Sequence, residues 1–144
     1  MKGVFKLALK KFSDRLFYYL HETTTDRPML AYYKRKGEKY ILAIDAGNSA
    51  SHVEDFYASL EVEQFLKPDY TAITHWHWDH TFGMHQIHGV SIAHKRTNGF
   101  LRREKNRLKE ESYSSHFLKS DDQCLAKEYE DCDIIEVHFN ATFI

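Results

Sequence analysis

Thr74-His75-Trp76-His77-Trp78-Asp79-His80-Thr81-Phe82-Gly83 is the stretch on which the reading of this chain turns. Residues 75–80 hold three imidazoles and one carboxylate. Neutral imidazole and carboxylate are the donors that suit divalent zinc and its neighbours. If the run arrives along a strand, side chains alternate between faces, so His75 and His77 project to one side and Trp76 and Trp78 to the other. Two imidazoles then converge on one ion while two indoles pack behind them. Asp79 and His80 follow where the chain turns, and their side chains swing towards a second position beside the first. That is a layout for two metals. The chain has 10 histidines in 144 residues, so chance clustering has to be weighed against a site. The spacing favours the site.

Working outward, Tyr70-Thr71-Ala72-Ile73 reads as a short buried strand aimed into the histidine run, with Pro68-Asp69 closing the helix before it. That helix opens at Ser51-His52-Val53-Glu54, a capping-box pattern, and puts Val53, Phe56, Tyr57 and Leu60 on one face up to about Leu66. Further upstream, residues 29–34 and 39–44 read as a hairpin around Lys36-Gly37-Glu38. Residues 4–9 and 16–21 read as strands parted by Ser13-Asp14, giving an antiparallel meander. Strand, helix, strand in that order predicts a parallel crossover and a mixed α/β fold. The candidate ligands then lie just past the carboxyl end of a strand, where open α/β sheets tend to place their sites. Asp45 sits at the end of the preceding strand, in Asp45-Ala46-Gly47-Asn48, where a short carboxylate often caps a turn.

Downstream, residues 82–87 suggest a short helix ended by Gly89, and residues 90–94 another strand. Thr97-Asn98 reads as the cap of a helix over 99–111 with Phe100, Leu101 and Leu108 inward. Its Arg102, Arg103, Lys105, Arg107 and Lys109 are interleaved with Glu104, Glu110 and Glu111, which marks a solvated face and not a nucleic-acid surface. Residues 112–132 are polar, and residues 133–139 read as a late strand. His85 and His88 fit surface or core placement better than ligation, while His94 ends a strand near the site.

A length of 144 residues with 42% hydrophobic and 15% aromatic content suits one domain over residues 1–144. The 20 basic and 21 acidic residues leave a net charge of -1, which gives no electrostatic case for nucleic acid or an anionic membrane. The first twenty residues alternate Lys with apolar positions and lack the pattern of a signal peptide, so a cytoplasmic location is expected. Cys124 and Cys132 are spaced neither as a metal knuckle nor as a disulfide framework, and read as ordinary thiols.

At His75, His77, Asp79, His80 and Gly83 the chain resembles the metallo-β-lactamase superfamily of metal-dependent hydrolases, whose signature is His-x-His-x-Asp-His followed by Gly. The resemblance implies an αββα sandwich, of which this chain looks like the first half, cut short at its C-terminus. It implies zinc, with two ions in the complete site and iron or manganese as further options. His75 and His77 would hold one ion, Asp79 and His80 the other, and Asp45 would support the ligands from behind. Hydroxide held between the ions, oriented by the catalytic Asp79, would attack an ester, thioester, lactam or phosphoester of a small-molecule substrate. The family's later ligands, a third His, a bridging Asp and a final His, are not recognisable, and His138 lacks the Gly-flanked loop that carries the third His. A catalytically impaired metal-binding protein, or an iron-binding redox variant of the same fold, is therefore the competing expectation. An exposed half-sandwich would also favour self-association.

Overall fold

Short aliphatic and aromatic runs pair in chain order into one mixed sheet. In the computed structural model residues 9–20, 30–34, 39–108, 110 and 141–143 are described. Strands β1 (Lys10–Lys11), β2 (Leu16–Tyr19), β3 (Leu30–Lys34) and β4 (Ile41–Ile44) form the antiparallel meander. Three parallel strands extend it: β5 (Tyr70–Ile73), β6 (Val90–Ala93) and β7 (Ala141–Phe143). Among the described residues the sheet thus has seven strands in sequential order, with β5 inside it. Helix α1 (Ala50–Val62) carries the chain from β4 to β5, α2 (Trp78–Thr81) and a 3-10 turn at Met84–Gln86 lead to β6, and α3 (Lys95–Leu108) follows β6. The mixed α/β class expected from the strand, helix, strand order is the observed one.

Alternation decides which face is covered. Ile41, Ala43, Ile73 and Ala93 are buried on one face, and α1 packs Val53, Phe56 and Leu60 there against Tyr19 and Tyr32. Full burial of each of the Ile, Val, Phe and Leu side chains among these contributes about 1.5–3 kcal/mol. Burial, with the charge of Asp69 second, pushes the Tyr32 phenol up to about 12. Leu101 of α3 joins Ile73, Ala93 and Met84 in a second cluster on the same face. Leu42, Ile44, Tyr70, Ala72 and Ile92, which point the other way, are only half-buried. Helices on one face and a partly open apolar opposite face make one αβ half of an αββα sandwich.

Three boundaries differ from expectation, each for a local reason. The cap of α1 is Ser49, two residues before the expected Ser51: its Oγ accepts from the His52 N–H at 3.1 Å. The helix also stops at Val62, short of Leu66. Gln64 takes a left-handed φ of 57°, the Phe65 N–H donates to Leu60 O at 2.8 Å, and the Gln64 N–H donates to Glu61 O at 3.0 Å. This is a Schellman closure made without the usual glycine, and it turns Phe65 back onto Phe17 and Tyr32. At α3, His94 Nδ1 accepts from the Arg96 N–H at 3.2 Å, so the helix begins earlier and buries Thr97 and Asn98 inside its first turns. The turn at Lys36-Gly37-Glu38, the strand over 133–139, and His21, His116, His138, Cys124 and Cys132 lie outside the described residues.

Gly83 joins the layers. A Cβ there would run into Ala46 O and Val53 Cγ2 and lie 2.7 Å from Ser49 O. Gly83→Ala is therefore expected to destabilise the fold by about 2 kcal/mol or more, the scale of overpacking a tight core. A urea midpoint unchanged from the parent's would show that the contact relaxes freely.

Candidate metal centre

The parallel pairing of β4 with β5 brings their carboxyl ends side by side, with Ile44 in register with Ala72. The Asp45 N–H continues the ladder to Ala72 O at 2.8 Å, and the Ala46 N–H donates to His80 O at 2.9 Å. The β4 end is thus tied to both β5 and α2. Asp45 itself has a left-handed φ of 63° and is 8% exposed. Aspartate tolerates that conformation better than most residues.

Three groups donate to the buried Asp45 carboxylate. The Thr74 N–H reaches Oδ1 at 2.8 Å, the Thr74 hydroxyl lies 2.9 Å from both oxygens, and His80 Nδ1 reaches Oδ2 at 2.8 Å. With Nδ1 donating to a carboxylate, His80 turns Nε2 the other way, to 3.8 Å from Asp79 Oδ2. His75 Nδ1 lies 2.9 Å from the Thr74 hydroxyl. The rings of His75 and His80 are 4.1 Å apart.

His75, Asp79 and His80 consequently each offer a ligand atom within 4.8 Å of the other two. Two donors about 2.0–2.1 Å from a tetrahedral zinc lie roughly 3.3 Å apart, so a small contraction would close the set on one ion. Three protein donors leave one position for water or substrate. Among the described residues no other group of three His, Cys, Asp or Glu meets this test.

The strand expected to carry the run ends at Ile73, so its alternation does not govern residues 74–77. His75 is grouped with Asp79 and His80, and its ring also neighbours that of His77. His77 is exposed at the start of α2, outside the three-donor group, with its ring 4.7 Å from both His75 and Trp76. The indoles still contact scaffold: Trp76 stacks on Phe100 of α3 at 5.3 Å, and Trp78 meets Phe82 at 5.8 Å. Asp45 lies directly behind His80. Thr74 had no part in the reading of the sequence, although its place between a strand and the first histidine was visible there.

The two imidazoles respond oppositely to their surroundings. Burial, then the charges of His80 and His77, hold His75 below the ordinary value of 6.5, against the weaker pull of Asp45 and Asp79. At His80 burial is the largest influence and acts downward, but the hydrogen bond and charge of Asp45, with the charge of Asp79, together raise it above 6.5.

A profile of the metallo-beta-lactamase superfamily matches residues 24–135. Among solved structures, DIM-1 metallo-beta-lactamase exposed to ceftazidime is 19% identical with a TM-score of 0.56, over 69% of this chain and 48% of that one. A second structure of DIM-1 metallo-beta-lactamase is 20% identical with a TM-score of 0.53, over 69% and 47%. The chain therefore spans about half the length of these solved structures. Comparison with curated proteins gives no match.

Metal uptake requires unprotonated imidazoles. Because His80 keeps its proton to a pH above 6.5, affinity for zinc is expected to climb with pH above that value and then level off. A zinc affinity constant between about pH 6 and 8 would contradict the arrangement. Asp45→Asn should weaken zinc binding by about 10–100-fold, the usual effect of removing a carboxylate behind a ligating histidine. Titration against a chromophoric chelator reads both.

Proposed function

Since the chain belongs to the metallo-beta-lactamase superfamily, we propose that it is a metal-dependent hydrolase whose ion is held by His75, Asp79 and His80. The observation that carries the proposal is the meeting of these donors with Nδ1 of His80 already committed to Asp45. Nε2 is then the atom left for the ion. Zinc is the proposed metal, with iron and manganese accepted by the same donors. His77, beside His75, would serve a second ion together with groups outside this cluster.

When bound, a divalent ion supplies Lewis acidity and lowers the pKa of water towards neutrality. The residues of the chain do the rest. Asp79, about one-fifth exposed, would orient the attacking water and take up its proton. Asp45 and Thr74 hold the imidazoles still, and preorganised ligands avoid the rate loss, on the order of a hundredfold, that small misplacement brings. The proposed substrate is a small molecule with an ester, thioester, lactam or phosphoester bond.

A second reading, a metal-binding protein without turnover, is favoured by the single three-donor group among the described residues. Among those residues no helix is long and apolar enough to cross a membrane. The half-buried stripe of Leu42, Ile44, Tyr70, Ala72 and Ile92 is the proposed surface for self-association.

Hydrolysis of a panel of activated esters, thioesters, lactams and phosphodiesters with added zinc or manganese separates the readings. Asp79→Ala is expected to lower metal-dependent turnover by about 100-fold or more. Turnover that is absent in the parent, with metal bound, would support the non-catalytic reading.

A further inference from the structure

We infer that Thr74 is a positioning residue for the metal centre: its hydroxyl, committed to Asp45, holds His75 as the Nδ1-protonated tautomer and so turns Nε2 towards the ion. The inference rests on the metal-site reading above and adds to it a residue outside the proposed ligand set.

A count of protons leads there. The Thr74 hydroxyl has one proton and three near acceptor positions, at 2.9 Å from Asp45 Oδ1, Asp45 Oδ2 and His75 Nδ1. If that proton went to His75, the Thr74 oxygen would face two carboxylate oxygens at hydrogen-bond distance with nothing between them. Giving it to Asp45 removes that repulsion and makes a charge-assisted bond, roughly twice as strong as a neutral one. The hydroxyl oxygen then has only lone pairs to offer His75, so His75 Nδ1 must be the donor. Nε2 is left as the acceptor, the atom a metal takes.

The backbone fixes the geometry of this relay. The Thr74 N–H also donates to Asp45 Oδ1 at 2.8 Å, which clamps the residue where β5 ends. One carboxylate therefore orients both imidazoles, His80 directly and His75 through Thr74. That matters because His75 lies two residues past Ile73, the last residue of β5, and has no ladder to hold it.

Two-bond ¹H–¹⁵N correlation of the metal-free protein at about pH 8, where imidazole is neutral, reads the tautomer of His75 directly. The parent is expected to show Nδ1–H, Thr74→Val a shift to Nε2–H, and Thr74→Ser the parent state. Zinc affinity should fall by about 10–100-fold in Thr74→Val and return nearly to the parent's in Thr74→Ser. Thr74→Val removes one of the donors to the Asp45 carboxylate and Thr74→Ser keeps it, so circular dichroism checks that both variants retain the fold. A parent with Nε2–H, a Val variant with an unchanged tautomer and zinc affinity, or a Ser variant that behaves like Val would overturn the inference. If the tautomer follows Thr74 but the parent binds no zinc, iron or manganese, the relay stands and the metal reading of the site falls.

Discussion

The buried carboxylate of Asp45 accepts hydrogen bonds from the Thr74 amide, the Thr74 hydroxyl and His80 Nδ1, and the local structure follows from those bonds. A carboxylate that is 8% exposed is tolerable only when its oxygens are satisfied in this way. It stands at the tip of β4 in a left-handed backbone turn. Its own amide and that of Ala46 are bound to Ala72 and His80. The end of β4 is locked at one point to the end of β5 and to the helix α2, which follow it much later in the chain. An outlying backbone angle at such a point is a reasonable sign of function, and here it coincides with the candidate ligands.

Orientation of the imidazoles is the consequence with chemical weight. A ligating histidine uses the nitrogen that its other hydrogen bond leaves over, so whatever holds Nδ1 selects Nε2. The same carboxylate raises the proton affinity of His80, while burial and two neighbouring imidazoles lower that of His75. A proton and an ion would compete for the imidazole nitrogens, and Asp79 offers the third donor from the first turn of α2. Gly83 completes the support: only a residue without a side chain lets the segment after α2 lie against Ala46, Ser49 and Val53.

Periodicity and turn chemistry made much of this legible beforehand. Alternation located β4 and β5, the face made by Val53, Phe56 and Leu60 located α1, and the strand, helix, strand order led to parallel pairing. Helix ends were less readable, because Gln64 closes α1 in a conformation that normally advertises itself through glycine or asparagine. The capping-box pattern at Ser51 misled because Ser49 satisfies the same need one half-turn earlier. The histidine run was recognisable by composition, but its geometry was not. Strand alternation does not reach past Ile73, where the sheet ends, so it could not show that Asp79 and His80 come round to His75 as well, with His77 still beside it. Thr74 escaped notice because a lone threonine carries no spacing signal, and its role depends on a carboxylate 29 residues earlier.

The histidine ligands oriented by Asp45 have a function only if they hold an ion. Protein reconstituted with zinc and freed of excess metal should show imidazole and carboxylate donors at about 2.0–2.2 Å by X-ray absorption. The variant carrying both His75→Ala and His80→Ala, with its fold intact, should lose that metal. Equal metal in parent and double variant, or a spectrum without imidazole donors in the parent, would contradict the metal reading.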